Sequence, residues 1–463
     1  ILIGLVGSEM CIRDRYNPIK VSQAYYCEDP FLNQLGVNPV FNLLTSTLDD
    51  NRKENRTLHL MSEEDALSKV QKYLHRQGID RLSPIARKVE REGTPNRRNV
   101  VLVFMESMSA NLMGTFGSDK KLTPYLDSLY QQSLSFSHFY SSGIHTNHGI
   151  YSTLYSFPAI MKRNAMKGSV IPVYSGLPTV LQENGYCNLF FMTHESQYDN
   201  MNAFLRTNGF DEIYAQENYP SEKVVNSFGV QDDFMYQYAL PILNERAGTG
   251  NPFFSVLLSI SNHPPYVIPP YFHPHSDVLE EQIVEYADWS IRQFMQAAEK
   301  QPWFDNTIFV FLGDHGKMVG TPECEMPQSY NHIPLMIYGK DIKPGVYDGF
   351  GGQVDVSPTL LGLLNISYLQ NNFGVNLLEE ERPCMFFTAD NLIGARDSVN
   401  MFIYSPDSQQ EFKYKLEEGK LHAATGTDEE AFRNLKDYCF SMLQSTESLV
   451  KEHKTLDKVS VKK

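Results

Sequence analysis

Apolar positions along this chain fall into two recurring patterns. Short unbroken runs, NVVLVFMES (99–107), CNLFFMTHES (187–196), PFFSVLLSISNH (252–263), TIFVFLGDHG (307–316) and IPLMIYG (333–339), have the length and the β-branched and aromatic content of strands buried on both faces. Between them lie stretches of helical period such as LTPYLDSLYQQ (122–132) and EYADWSIRQFMQAAEK (285–300). Strands alternating with helices predict an α/β fold: a mostly parallel central sheet with helices on both faces.

The flanks read differently. EEDALSKVQKYLHRQG (63–78) carries Leu67, Val70 and Leu74 on one helical face with Gly78 as a stop, and the Pro-broken, charged RLSPIARKVEREGTPNRRN (81–99) reads as a linker. After about Asn400, short strand-like pieces lead into EEAFRNLKDYCFSMLQSTESLVKEH (429–453), an amphipathic helix expected to pack on the sheet domain, and then a solvated charged tail. The first fifteen residues, ILIGLVGSEMCIRDR, resemble a translated sequencing-adapter fragment and are set aside from the fold. The expected organisation is therefore a helical arm and linker over 16–98, a catalytic α/β domain over 99–400, and a small α+β region over 401–463.

Composition narrows the class. A chain of 463 residues with 42% apolar and 21% charged residues is an ordinary globular protein, and a formal net charge of −15 argues against a nucleic-acid backbone as partner. Six scattered cysteines form no C-x-x-C pair, so no zinc knuckle is readable. No run approaches the roughly 18 to 20 apolar residues that span a bilayer.

Four of the apolar runs end on polar side chains at their carboxyl side: Glu106, His194, His263, and Asp314 with His315. Open α/β sheets bind ligands at that edge, so these residues can converge. Oxygen and nitrogen donors side by side at a strand end suit a borderline divalent ion such as Zn²⁺ or Mn²⁺, with Glu106 as a third ligand. In SSGIHTNHGIYSTLYSF (141–157), the spacing of Ile150, Leu154 and Phe157 predicts a helix starting near Thr146. A hydroxyl there sits at the positive end of the macrodipole, where an alkoxide or phosphate is stabilised; its plain alternative is an N-cap. His145 and His148 flank it.

The motifs NVVLVFMES, GIHTNHG, SISNHPPY, FLGDHG, NHIPLMIYG and VDVSPTLLGLLNISY occur in an order that resembles the lipoteichoic acid synthase-like proteins, phosphoglycerol transferases of the sulfatase and alkaline phosphatase superfamily. The resemblance covers about Asn99 to Tyr368. It also extends loosely to FLNQLGVNPVFNLL, which looks like the segment following that family's membrane helices. It implies a metal site of Glu106, Thr146, Asp314 and His315, with Thr146 as nucleophile, and substrate contacts from His194, His263 and His332. The implied cofactor is one divalent ion, Mn²⁺ ahead of Zn²⁺ or Mg²⁺. The implied partners are a phosphatidylglycerol-like donor, a glycan or lipid acceptor and the membrane surface, with the domain extracytoplasmic. Phosphoethanolamine transfer or phosphodiester hydrolysis is the enzymatic alternative, and a silent glycan- or lipid-binding domain the non-enzymatic one. Two departures stand out. QYDNMNAF (197–204) lacks the tryptophan and arginine that the Gram-positive synthases carry after the His194 position, and Thr146-Asn147-His148-Gly149-Ile150 cannot supply the formylglycine of an arylsulfatase.

Overall fold

A computed structural model describes residues 38, 40, 57–79, 82–167, 171–417, 419–424 and 429–456. The first fifteen residues, FLNQLGVNPVFNLL apart from Asn38 and Val40, and the tail from 457 lie outside the described residues.

The central sheet has eight strands: β1 (Asn99–Met105), β2 (Leu134–Tyr140), β3 (Cys187–Met192), β4 (Glu212–Tyr214), β5 (Phe253–Leu258), β6 (Thr307–Gly313), β7 (Leu335–Tyr338) and β8 (Gly345–Gly352). Their spatial order is β8-β2-β7-β6-β1-β5-β3-β4, and β7 alone runs against its neighbours β2 and β6. All seven β1 residues are buried. Val100, Leu102 and Phe104 belong to the core on one face, and Val101, Val103 and Met105 to the core on the other. The period-two alternation of a strand therefore appears here as two dry faces rather than one, which is why the sequence shows an unbroken apolar run. Each fully buried side chain of this kind contributes about 1.5–3 kcal/mol.

Helices α1 (Glu63–Tyr73), α2 (Pro124–Gln132), α3 (Thr146–Tyr155), α4 (Asp232–Ala247), α5 (Leu279–Ala298) and α6 (Glu429–Lys451) supply most of the cover. Ser62 caps α1 by accepting from the Asp65 N–H at 3.2 Å, and the helix ends at Tyr73, ahead of the expected stop at Gly78. The expected linker is docked: Arg87–Val89 pairs antiparallel with Tyr368–Gln370, and the buried Arg76 guanidinium donates to the carbonyls of Ile85 and Gly374 at 3.3 and 2.9 Å. Charge and proline made this segment look unstructured, but its arginines are spent on carbonyls and carboxylates of the main body.

A second, antiparallel sheet of five strands runs Met385–Thr388, Ile393–Arg396, Asn400–Ser405, Gln410–Glu417 and Lys420–Ala423, with α6 packed on it. It begins ahead of residue 400, so it straddles the expected domain boundary. A buried ion pair ties this unit to the main body. Arg382 donates to both oxygens of Asp355 at 2.8 and 2.6 Å, to the Tyr438 hydroxyl of α6 at 2.7 Å and to the Phe373 carbonyl at 2.7 Å. Both partners are almost fully enclosed, with side-chain exposures of 1% and 0%. Removing one member of such a pair strands the other charge in a dry interior. Arg382→Ala should therefore lower stability by about 3–5 kcal/mol in urea denaturation, whereas a loss below about 1 kcal/mol would mean that the pair behaves like a surface bridge.

Candidate active site

Strand register assembles the centre. Met105 of β1 is the Cα partner of Gly313 of β6, so the next residues, Glu106 and Asp314, leave the sheet side by side. Ser107 follows with a left-handed φ of 50° and links them: its N–H donates to Asp314 Oδ1 at 2.8 Å, and its hydroxyl donates to Glu106 Oε1 at 2.7 Å. Such a backbone, costly for a residue with a Cβ, is held where the surroundings over-determine it. Asp314 Oδ1 also accepts from the His315 N–H at 2.7 Å. Asp314 Oδ2 is buried, and no hydrogen-bond donor reaches it among the described residues.

His315 completes the cluster. Its Nδ1 lies 2.8 Å from the Gly316 carbonyl, which fixes the proton on Nδ1 and leaves Nε2 as a lone-pair donor, 3.5 Å from Asp314 Oδ2 and 3.9 Å from Glu106 Oε1. Thr146 opens α3, and its hydroxyl reaches Glu106 Oε2 at 3.5 Å. The ligand atoms of Glu106, Asp314 and His315 all lie within 4.8 Å of one another. Four tetrahedral donors about 2.0–2.2 Å from one ion stand about 3.3–3.6 Å apart, so oxygen and nitrogen donors at these separations fit a divalent cation. The unpartnered Asp314 Oδ2 and the tautomer of His315 point the same way.

Around this cluster lie residues whose part is set by tertiary contact. A Cβ on Gly149 would come within 2.3 Å of the Asp314 carbonyl oxygen, so glycine lets α3 press against the β6 terminus. Gln353 donates to the carbonyls of Gly313 and Asp314 at 3.1 and 2.7 Å and accepts from the Ser142 N–H at 2.9 Å. It stands in the same turn as Asp355, which accepts from the Gly352 N–H at 3.0 Å. Asn262 donates to the carbonyls of Glu106 and Ser107 at 3.1 and 3.2 Å and accepts from Lys317 Nζ at 2.6 Å. Burial pushes the Lys317 ammonium down to about 8, with Glu106 and Glu280 acting in the opposite sense. None of these five residues was singled out from the sequence. A glycine inside a helix and a lysine directly after Asp-His-Gly were the available signals.

The histidines separate into two kinds. His194 is buried with Nδ1 3.0 Å from the Glu195 carbonyl and, among the described residues, no partner for Nε2, and burial lowers its pKa. His263 is partly exposed, with Nδ1 2.6 Å from the Pro264 carbonyl and its ring against Phe228 at 4.2 Å. His332, expected at the substrate, instead has its ring between Phe116 and Tyr140 at 5.2 and 5.3 Å and its Nε2 on the Ser137 carbonyl at 2.9 Å, a packing position. Burial pushes it down to about 4. Of the residues flanking Thr146, His148 is buried and pushed down to about 3 by that burial, and His145 faces Asp390 at 2.6 Å. In the segment after His194, Asp199 accepts from Asn147 at 2.9 Å and pairs with Lys167 at 2.8 Å.

Glu106 is pushed well above the ordinary carboxylate range, first by burial and then by Asp314 beside it. A raised folded-state pKa leaves the fold unpenalised below the ordinary value of 4.5 and costs stability as pH climbs toward the raised value. With chelator present, the melting temperature should fall from about pH 5 to about pH 8 more steeply in the wild type than in Glu106→Gln, and saturating Mn²⁺ should abolish the difference. Parallel profiles would contradict this electrostatic picture. Gly149→Ala should cost about 1–3 kcal/mol by overpacking and weaken Mn²⁺ binding in calorimetry, because the added methyl displaces the Asp314 turn.

Comparison with known proteins bears on the family and the fold. The sulfatase family model matches residues 98–366. Among relatives, a lipoteichoic acid synthase-like protein of Bacillus subtilis is 25% identical over 71% of this chain and 56% of its own length. A Staphylococcus aureus lipoteichoic acid synthase is 24% identical over 76% of this chain and 58% of its own. The chain thus spans a little over half the length of these relatives. Among solved structures, an alkaline phosphatase superfamily protein from Vibrio parahaemolyticus superposes with a TM-score of 0.78 at 24% identity, covering 87% of this chain and 99% of that one. The lipoteichoic acid synthase LtaP from Listeria monocytogenes gives 0.66 at 21%, covering 83% and 98%. These two likenesses establish the alkaline phosphatase superfamily fold. With the family model covering more than half of its residues, including the strands that carry Glu106 and Asp314, the chain belongs to the sulfatase family.

Proposed function

We propose that this chain carries the catalytic domain of a phosphoglycerol transferase that works through a phosphothreonine intermediate on Thr146. The observation that carries the reading is the hydroxyl of Thr146, at the start of a buried ten-residue helix, 3.5 Å from Glu106 in the same cluster as Asp314 and His315. Glu106, Asp314, His315 and the Thr146 hydroxyl would hold the divalent ion, Mn²⁺ in our reading, which when bound makes a hydroxyl acidic enough to react near neutral pH and offsets phosphate charge.

The chain's own groups account for the rest. Thr146 Oγ1 forms a bond to phosphorus as the bond from phosphorus to the diacylglycerol oxygen breaks, and that oxygen leaves as a hydroxyl after taking a proton. In the second half an acceptor hydroxyl attacks the phosphothreonine, delivers glycerol phosphate to the acceptor and restores the threonine. The first N–H groups of α3 face the transferred phosphate and stabilise its charge without reorganising. His263 is the proton donor to the leaving oxygen in its doubly protonated form, in which Nδ1–H is held by the Pro264 carbonyl and Nε2–H is left for the substrate. His194 brings a neutral, buried ring with an unpartnered Nε2 to the same rim. His332 enters this reading as a packing residue, with Nε2 on the Ser137 carbonyl and its ring between Phe116 and Tyr140. A phospholipid donor and an envelope acceptor place the reaction at the outer face of the cytoplasmic membrane. No helix among the described residues is long and apolar enough to cross a membrane.

Incubation with mixed phospholipids and Mn²⁺, followed by mass spectrometry of the Thr146 peptide, should find one glycerophosphoryl group on Thr146. Thr146→Ala should lose the adduct and at least about a thousandfold in transfer rate, the scale of removing a covalent nucleophile. An ethanolamine phosphate adduct would instead make the chain a phosphoethanolamine transferase, and full turnover by Thr146→Ala would remove the covalent mechanism.

A further inference from the structure

The basic side chains around the nucleophile are mostly neutralised. Lys167 pairs with Asp199 at 2.8 Å, Arg163 with Glu447 at 2.6 Å, and Lys162 stands 3.9 Å from Asp390. Lys317 differs. Its Nζ donates to Asn262 Oδ1 at 2.6 Å and lies 5.5 Å from the Tyr266 ring centroid, and among the described residues no carboxylate comes within 4.0 Å of it. Asn262, itself only 2% exposed, uses its amide N–H groups on the carbonyls of Glu106 and Ser107. The ammonium is thus held at a fixed place relative to the Glu106 turn, half-buried and, among the described residues, without a carboxylate in ion-pair contact. A half-buried ammonium with donors to spare is a site for an anionic oxygen.

We propose that Lys317 holds a non-bridging oxygen of the donor phosphodiester and thereby makes the site select a neutral polyol head group over one that ends in an ammonium. This rests on the reading of the centre as a phosphodiester site. The selectivity follows from charge. A head group hanging from that phosphorus lies within a few ångströms of Lys317, where a second cation is repelled. The nearby acids offer it little compensation: Glu106 and Asp314 belong to the ion-binding cluster, and Asp199 is taken by Lys167. Glu280, at the exposed start of α5, also acts on Lys317, and solvent screens it.

The test reads binding, so it does not depend on turnover. Mn²⁺-loaded wild type, Lys317→Met and Lys317→Arg are titrated calorimetrically with glycerol 3-phosphate and with phosphoethanolamine. The wild type should bind glycerol phosphate about tenfold more tightly than phosphoethanolamine. Lys317→Met should weaken glycerol phosphate binding on the order of ten- to hundredfold and bring the two ligands within about twofold of each other, while Lys317→Arg retains the preference. Unchanged Mn²⁺ affinity in Lys317→Met separates this from disruption of the Asp314–His315 turn; if that variant binds Mn²⁺ poorly, Lys317→Gln replaces it under the same criterion. Wild-type affinity for glycerol phosphate in the Met variant, or a preference that survives the loss of the charge, overturns the proposal. A missing adduct on Thr146 would instead remove the transfer mechanism and leave these binding differences standing.

Discussion

Two carboxylates, Glu106 and Asp314, are forced together at the ends of adjacent buried strands, and everything else at the centre answers that constraint. Their neighbourhood follows from the pairing of Met105 with Gly313, not from any loop that could relax away. Ser107 and the His315 N–H satisfy part of the cluster, but among the described residues no donor reaches one buried oxygen of Asp314 and no Lys or Arg pairs with Glu106; His315 Nε2 lies 3.9 Å from Glu106 Oε1. A dry interior tolerates such an arrangement when a carboxyl takes up a proton or a cation completes the cluster. The hydroxyl that α3 places beside this cluster lies both at a candidate cation site and at a helix N-terminus.

The geometry is sustained from a distance. The Arg382–Asp355 pair anchors the turn at 352–355, and Gln353 in that turn holds the carbonyls of Gly313 and Asp314 and the N–H of Ser142. Through Tyr438 the same arginine reaches α6, so the C-terminal helix is connected by hydrogen bonds to the turn that positions the aspartate. On the other side, Asn262 fastens the Glu106 turn to Lys317. The two ligand-bearing turns therefore each have a dedicated amide side chain behind them, the arrangement that keeps ligands oriented at a metal centre.

Much of this was legible from the chain alone, for a physical reason. Strands buried on both faces appear as continuous apolar runs, so β1, β3, β5, β6 and β7 stood out, as did α2, α5 and α6. The polar residues ending those runs were readable as a rim because parallel strands in one sheet present their carboxyl ends together. Strands β2, β4 and β8 were not read: LSFSHFY alternates polar with apolar residues, EIY is short, and GVYDGFGG is a glycine-rich edge strand. Ser135 of β2 is buried only because its hydroxyl finds the Tyr130 carbonyl at 2.7 Å, a contact that no local pattern announces. Gly149, Gln353, Asn262 and Lys317 escaped for the same reason, since each acts through a partner distant in sequence. His332 shows the converse: a histidine in a recognisable motif whose ring the tertiary structure uses for packing.

Just after His194, Asp199 is an acid already paired with Lys167 at 2.8 Å and joined to the Thr146 helix through Asn147. Cation chemistry at Glu106, Asp314, His315 and Thr146 is the claim on which the mechanism stands. Crystals grown with Mn²⁺ and measured at the manganese absorption edge test it most directly. The account requires one anomalous peak bounded by Glu106, Asp314, His315 and the Thr146 hydroxyl. A peak elsewhere, or none at saturating Mn²⁺, would contradict it.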